Sequence, residues 1–250
     1  MKQTAHIIKG LSAMLLAGML LVSCHFRSNE PRSAKKAATN MEGPEWEEEM
    51  AYADSVSRIT GIPWGSPYYY DPSWKIRFSE KRDTLYYFPR EDTLKSFAIP
   101  PSVRVIDERA FQCNQNLEGI VIPRSVNEIG LGAFIACHEL RYVVILGPVK
   151  NIEWRCFDGC SELRHVDLPA SVESVDDMSF FGCDKLNSVI IRNPEPPRML
   201  LAFFENGEEE GMFAFKGVSQ TECVLYVPKG SVKKYRKADG WNYFKNIQEL

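Results

Sequence analysis

Three residues of this chain have the types and spacing to do chemistry together. In His165-Val166-Asp167 the ionisable side chains are two apart, so on a β-strand they share one face. Ser188 follows His165 after 23 residues. If that interval is one structural period, Ser188 sits one strand over, about 4.8 Å away. A serine, a histidine and an aspartate within reach are the parts of a hydrolase triad. A triad also needs donors aimed at a developing oxyanion and a pocket that excludes water. An open face of regular strands offers neither, because its amides are used in the ladder. The chain has no GxSxG, no HExxH and no phosphate-binding glycine loop. The expectation is a protein that is not an enzyme and takes no cofactor.

The elements that would position these residues show as a repeat. Phe111, Phe134, Phe157 and Phe180 keep a step of 23, as do Leu94, Leu117, Leu140, Leu163 and Leu186. Ile99, Ile122, Ile145, Leu168 and Ile191 hold a third column, and Ile106, Ile129, Ile152 and Val175 a fourth. The residue before each Phe is small: Ala110, Ala133, Cys156, Ser179. Each unit reads as a strand with alternating apolar residues, such as Ile120 and Ile122, ended by a proline that cannot donate to a ladder. A second short extended segment ends at Ile129, and Ala133-Phe134 reads as a helical turn. One unit cannot bury both its isoleucine row and its Phe, whereas stacked units can.

These columns resemble the BspA-like leucine-rich repeats found in surface and periplasmic lipoproteins of Gram-negative anaerobes. The resemblance implies a repeat solenoid, mainly β with short helical turns, capped at both ends. Regular repeats cover 94–192, and 193–250 form an irregular last repeat and a C-terminal cap with a short helix from Ser231 to Ala238 and Trp241. Residues 45–93 read as an N-terminal cap and degenerate first repeat or hairpin, in which Asp83 falls where Ile106 would be. Departures from the pattern are Pro148 in a Ser column, Asn114 in a Cys column and an acidic interruption from Phe204 to Gly211.

Residues 1–23 read as a lipoprotein signal peptide. Lys2 and Lys9 precede an apolar run from Leu11 to Val22, too short to span a bilayer. Leu21-Val22-Ser23-Cys24 resembles the bacterial lipobox, which implies lipidation of Cys24 and membrane anchoring without a span. Residues 24–44, rich in Ser, Asn, Pro, Lys and Ala, read as a flexible tether. The implied location is the cell envelope, as an outer-membrane lipoprotein. Surface-destined lipoproteins of such bacteria tend to carry acidic residues just after the lipidated Cys, whereas His25-Phe26-Arg27-Ser28-Asn29-Glu30 has a basic residue and one acid; this weighs toward the periplasm more than the resemblance alone implies and leaves surface or periplasm open.

Thirty basic residues against thirty-three acidic ones give a formal charge of −3, which disfavours nucleic acid as a partner. Cys137, Cys160 and Cys183 share one column. One Cys per coil cannot close a zinc site, so no metal is expected, and buried thiols are the reading for this ladder. Whether Cys113, Cys137, Cys156, Cys160, Cys183 and Cys223 form disulfides stays open. The expected partner is macromolecular, a protein ahead of a glycan. The candidate face is the outward side of the strand row: Tyr142, His165 and Ser188 in one column, Val121, Val144, Asp167 and Ile190 in the next. Three aliphatics on a face that should be wet mark either a partner surface or a place covered by residues 45–90. Trp64, Tyr68, Tyr69 and Tyr70, among prolines, form a candidate aromatic binding loop or a packed cap. The resemblance implies adhesion; a periplasmic scaffold and a carbohydrate-binding module are the alternatives.

Overall fold

The structure, a computed structural model, describes residues 76–91, 93–200 and 213–250, with the backbone alone at Phe213. Cys24, the tether, the aromatic stretch 63–74 and the acidic segment 204–211 lie outside the described residues.

The 23-residue period is one turn of a parallel β-solenoid of about seven turns. One side of it is a seven-stranded sheet built from β3 (Ser96–Ala98), β5 (Gly119–Ile122), β7 (Tyr142–Ile145), β9 (His165–Leu168), β11 (Ser188–Ile191), β13 (Val224–Val227) and β14 (Asn246–Glu249). Every pairing in this sheet is parallel and in register, so Ile120, Val143, Val166, Val189, Leu225 and Ile247 form one buried row. The opposite side is made of short strands. A four-stranded sheet holds β1 (Arg77–Phe78), β2 (Thr84–Tyr87), β4 (Val105–Ile106) and β6 (Glu128–Ile129). A three-stranded sheet holds β8 (Asn151–Ile152), β10 (Ser174–Val175) and β12 (Arg198–Met199).

Between the two sides runs a column of stacked rings. Phe111 and Phe134 are 4.7 Å apart between centroids, Phe134 and Phe157 5.3 Å, Phe157 and Phe180 5.3 Å, and Phe180 and Phe215 4.9 Å. All of them are fully buried. Offset stacking of this kind adds to the burial energy of each ring.

Two expectations about the coil change here. The Ala-Phe stretch is a tight turn rather than a helical one. The amides of Phe111, Phe134, Phe157 and Phe180 donate to Ala133, Cys156, Ser179 and Ala214 of the next coil, not to their own chain four residues back. Left-handed residues enforce this. Arg109, Gly132, Arg155 and Met178 share φ near +55°, and Ala136, Gly159 and Gly182 form a second such column. A helix cannot continue through either. Secondly, Leu85 and not Asp83 pairs with Ile106. Asp83 is held in the β1–β2 turn, where its carboxylate accepts from the Ser79 hydroxyl at 2.6 Å and its amide donates back to the same oxygen at 3.1 Å. The antiparallel β1–β2 hairpin therefore leads directly into the first coil.

The C-terminal end is closed by a helix shorter than the Ser231–Ala238 expected, α1 (Val232–Tyr235), by a 3-10 turn at Trp241–Tyr243, and by β14. Tyr235 donates to the carbonyl of Asn193 at 2.7 Å and Trp241 Nε1 to that of Pro197 at 2.6 Å. Both aromatics are buried with their polar ends satisfied, as a cap over an otherwise open core requires. No helix among the described residues is long and apolar enough to cross a membrane.

Candidate functional site

Alternation along the long strands turns one column inward and the next outward. In-register pairing then sets Tyr142, His165 and Ser188 side by side across β7, β9 and β11, with Val144, Asp167 and Ile190 in the neighbouring column. Val121 extends that second column from β5. The positions thus follow the 23-residue period, and the structure brings all seven together on one face.

Their exposure does not follow the expectation of a wet surface. Val121 is 8% exposed, Val144 2%, Asp167 1%, Ile190 1%, His165 7% and Ser188 1%. Tyr142 alone of the seven is half-buried. Leu146, half-buried beyond the end of β7, packs on Val121 and Val144. Arg192 reaches back over β9 from the end of β11. The Tyr142 and His165 rings lie 6.5 Å apart.

The triad geometry is not assembled. Asp167 takes a bidentate grip from Arg192, with Nε at 2.8 Å from Oδ1 and Nη2 at 2.6 Å from Oδ2. His165 Nε2 and Ser188 Oγ are buried and have no hydrogen-bond partner. Burial pushes the His165 imidazole down to about 4, and the Arg192 charge adds to the effect, so at neutral pH the ring is uncharged. Burial likewise raises the Asp167 carboxyl, against the pull of Arg192. The face can therefore offer a neutral imidazole and a hydroxyl side by side, flanked by aliphatics and a compensated ion pair.

Arg192 is a further member of this face, joined to it through Asp167. Its signal was present: Ser188, Ile190 and Arg192 alternate onto one face, and Arg192 sits one coil beyond the acid it pairs with.

The cysteines have a structural use. Cys113, Cys137, Cys156, Cys160, Cys183 and Cys223 are free thiols. Cys137, Cys160 and Cys183 donate to the carbonyls of Phe111, Phe134 and Phe157 on the preceding coil, at 3.1, 3.2 and 3.2 Å. Asn114 does the same job in the first unit, its Nδ2 donating to the Pro89 carbonyl at 2.8 Å while its Oδ1 accepts from the amides of Asn116 and Leu117. The column thus selects a buried donor, and Asn and Cys both qualify. His138 is exposed, with Nδ1 facing the Gly159 carbonyl at 2.9 Å. Among the described residues no group of three His, Cys, Asp or Glu could hold a metal ion.

Residues 84–196 match the BspA type leucine rich repeat region, in six copies. No curated protein matches the chain. Among solved structures, the pneumococcal vaccine antigen PcpA superposes with a TM-score of 0.51 at 20% identity, over 70% of this chain and 46% of that one. A leucine rich cell surface protein from Faecalibacterium prausnitzii gives 0.46 at 22% identity, over 70% of this chain and 37% of its own. A leucine-rich repeat protein from Eubacterium ventriosum gives 0.41 at 21% identity, over 58% and 48%. The chain thus spans less than half the length of each of these structures. The stacked Phe column, the ladder of buried donors and the parallel coils lie largely within the matched residues, and residues 84–196 are similar to a BspA type leucine rich repeat region.

Proposed function

We propose that this chain is a non-enzymatic binding module of the bacterial cell envelope, anchored through a lipidated Cys24, and that it engages a protein partner through the face of its seven-stranded sheet. One observation carries the reading: His165 Nε2 and Ser188 Oγ lie on adjacent strands in register, both buried and both without a hydrogen-bond partner. Buried polar groups are almost always paired, and an unpaired one costs about 1–3 kcal/mol of desolvation. A partner that displaces the side chains covering this face would reach both atoms and supply the missing bonds. Tyr142 borders them with an aromatic ring, and Val121, Val144 and Ile190 supply apolar surface on the same face once Leu146 and its neighbours move aside.

The envelope location rests on the lipobox-like Leu21-Val22-Ser23-Cys24 after an apolar run. The description of the Faecalibacterium structure as a cell surface protein agrees with it. Two experiments test the proposal. A photo-crosslinking residue at position 142 is expected to capture a defined protein in intact cells, whereas the same residue at exposed Leu131, on another side of the coil, captures none. Capture from both positions equally, or from neither, refutes the sheet face as the binding site. Protease treatment of intact cells against lysed ones then fixes the side: loss of the repeat region from intact cells means display outside, and loss only after lysis means a periplasmic partner and a scaffold role.

A further inference from the structure

The C-terminal end of the solenoid differs in charge from the rest of the chain. Residues 213–250 contain seven Lys and Arg against three Asp and Glu, in a chain of formal charge −3. Five of these cations, Lys229, Lys233, Lys234, Arg236 and Lys237, fall in the nine residues that enter, form and leave α1, and all five are exposed. The inward side of the same segment is pinned. Ser231 Oγ donates to the Pro194 carbonyl at 2.9 Å, and buried Tyr235 donates to that of Asn193. The cations are therefore left on the exposed side of the segment, away from the core.

Among the described residues, local acids do not cancel them. Glu195 pairs with Lys234, and Glu249 accepts the Gly230 amide at 2.9 Å. Asp239 is exposed beside them. Among the described residues Lys229, Lys233, Arg236 and Lys237 enter no ion pair.

We infer that this cap is an electrostatic docking surface for the anionic phospholipid headgroups of a membrane, a property separate from the sheet face and independent of the lipid anchor. The chemistry favours a headgroup layer over other polyanions. Four of the five cations are lysines, compact charges without the planar fork that reads phosphates individually. Of the aromatics of the cap, Tyr235, Trp241 and Phe244 are buried in the core, and Tyr243 is half-buried with its hydroxyl donating to the Val218 carbonyl at 3.1 Å, so the cap presents no open platform of rings for bases or sugars. A diffuse negative surface needs neither fork nor ring, and each Lys or Arg close to it strengthens binding about fivefold.

The test is flotation of the full chain with vesicles of phosphatidylcholine alone and of phosphatidylcholine with 30% phosphatidylglycerol. The ratio between the two is the readout, since an apolar segment or acyl chain contributes to both. The ratio is expected to be large in low salt and to collapse at about 0.5 M salt, where the Debye length is only a few ångströms. Lys229→Gln/Lys233→Gln/Lys237→Gln is expected to lower binding to the anionic vesicles about 100-fold, three steps of fivefold, with an unchanged melting temperature. Lys81→Gln/Arg90→Gln/Arg104→Gln removes the same charge from the other end and is expected to keep the ratio. An equal ratio for both triple variants, or no preference for anionic vesicles in the unaltered chain, overturns the inference. So does binding to soluble dextran sulfate with none to vesicles.

Discussion

Phe134→Ala removes the middle of the ring column and tests whether stacking between coils holds the solenoid together. Phe134 is fully buried and stacks on two neighbours, at 4.7 Å on Phe111 and 5.3 Å on Phe157. Truncating a buried Phe to Ala costs about 3–5 kcal/mol through lost transfer energy and the cavity left behind. Each aromatic pair adds about 0.5–1.5 kcal/mol beyond area burial, which places this site in the upper part of that range. Phe134→Leu keeps most of the volume and loses the stacking, so about 1–2 kcal/mol is expected by the same accounting. Ile135→Ala, next in sequence but half-buried, is a control expected to cost less than about 1 kcal/mol. The assay is urea unfolding at 25 °C followed by circular dichroism. Because each coil touches only its neighbours, the Ala variant is also expected to broaden the transition as the two halves uncouple. A cost for Phe134→Ala no larger than for Ile135→Ala, with the transition as sharp as before, refutes the reasoning.

Three further outcomes are expected. Gly147→Ala places a Cβ 1.9 Å from the Val126 carbonyl oxygen and 2.8 Å from that of Pro123, so the backbone must shift and stability falls by about 3 kcal/mol, read as a lower urea midpoint; an unchanged midpoint contradicts the close approach. At pH 8, iodoacetamide should modify half-exposed Cys113 in the native protein but reach Cys137, Cys156, Cys160, Cys183 and Cys223 only after unfolding. Burial pushes the Cys137 and Cys223 thiols up to about 12 and raises the other three as well, so mass spectrometry showing fast native modification of any of the five counts against the packing. His165 titrates near 4 when folded and near 6.5 when unfolded. Its folded value is the lower one, so its contribution to stability is complete above about pH 6.5 and is lost as pH falls toward 4, at up to about 1.4 kcal/mol per unit. His165→Gln should flatten that limb of the stability profile, and identical slopes in the two proteins contradict the burial.

The repeat could be read from sequence because stacking demands the same residue type at the same angle in every coil. Phe111, Phe134, Phe157 and Phe180 recur for that reason, and Ile120 and Val143 mark the sheet face that turns inward. What escaped the sequence was set by backbone geometry that several residue types can adopt. One left-handed column is Arg109, Gly132, Arg155 and Met178, with a single glycine to betray it, and the other opens with Cys113 and Ala136 before it reaches Gly159 and Gly182. The shift of Leu85 into the Ile106 column depends on a Ser79–Asp83 turn, which has no counterpart in later coils. On the candidate face, alternation placed Tyr142, His165 and Ser188 correctly beside one another. It could not report that neighbouring side chains would bury them, because burial on an outer face depends on how long side chains such as Arg192 fold back.

The most direct measurement is the affinity of the protein captured through position 142, compared between the unaltered chain and a His165→Ala/Ser188→Ala variant of equal melting temperature. Each hydrogen bond to the partner is worth about 0.5–1.5 kcal/mol, so loss of both is expected to weaken binding by about 5- to 150-fold. Equal affinity in the two proteins would contradict it, and the two unpaired atoms of the sheet face would then have no part in recognition.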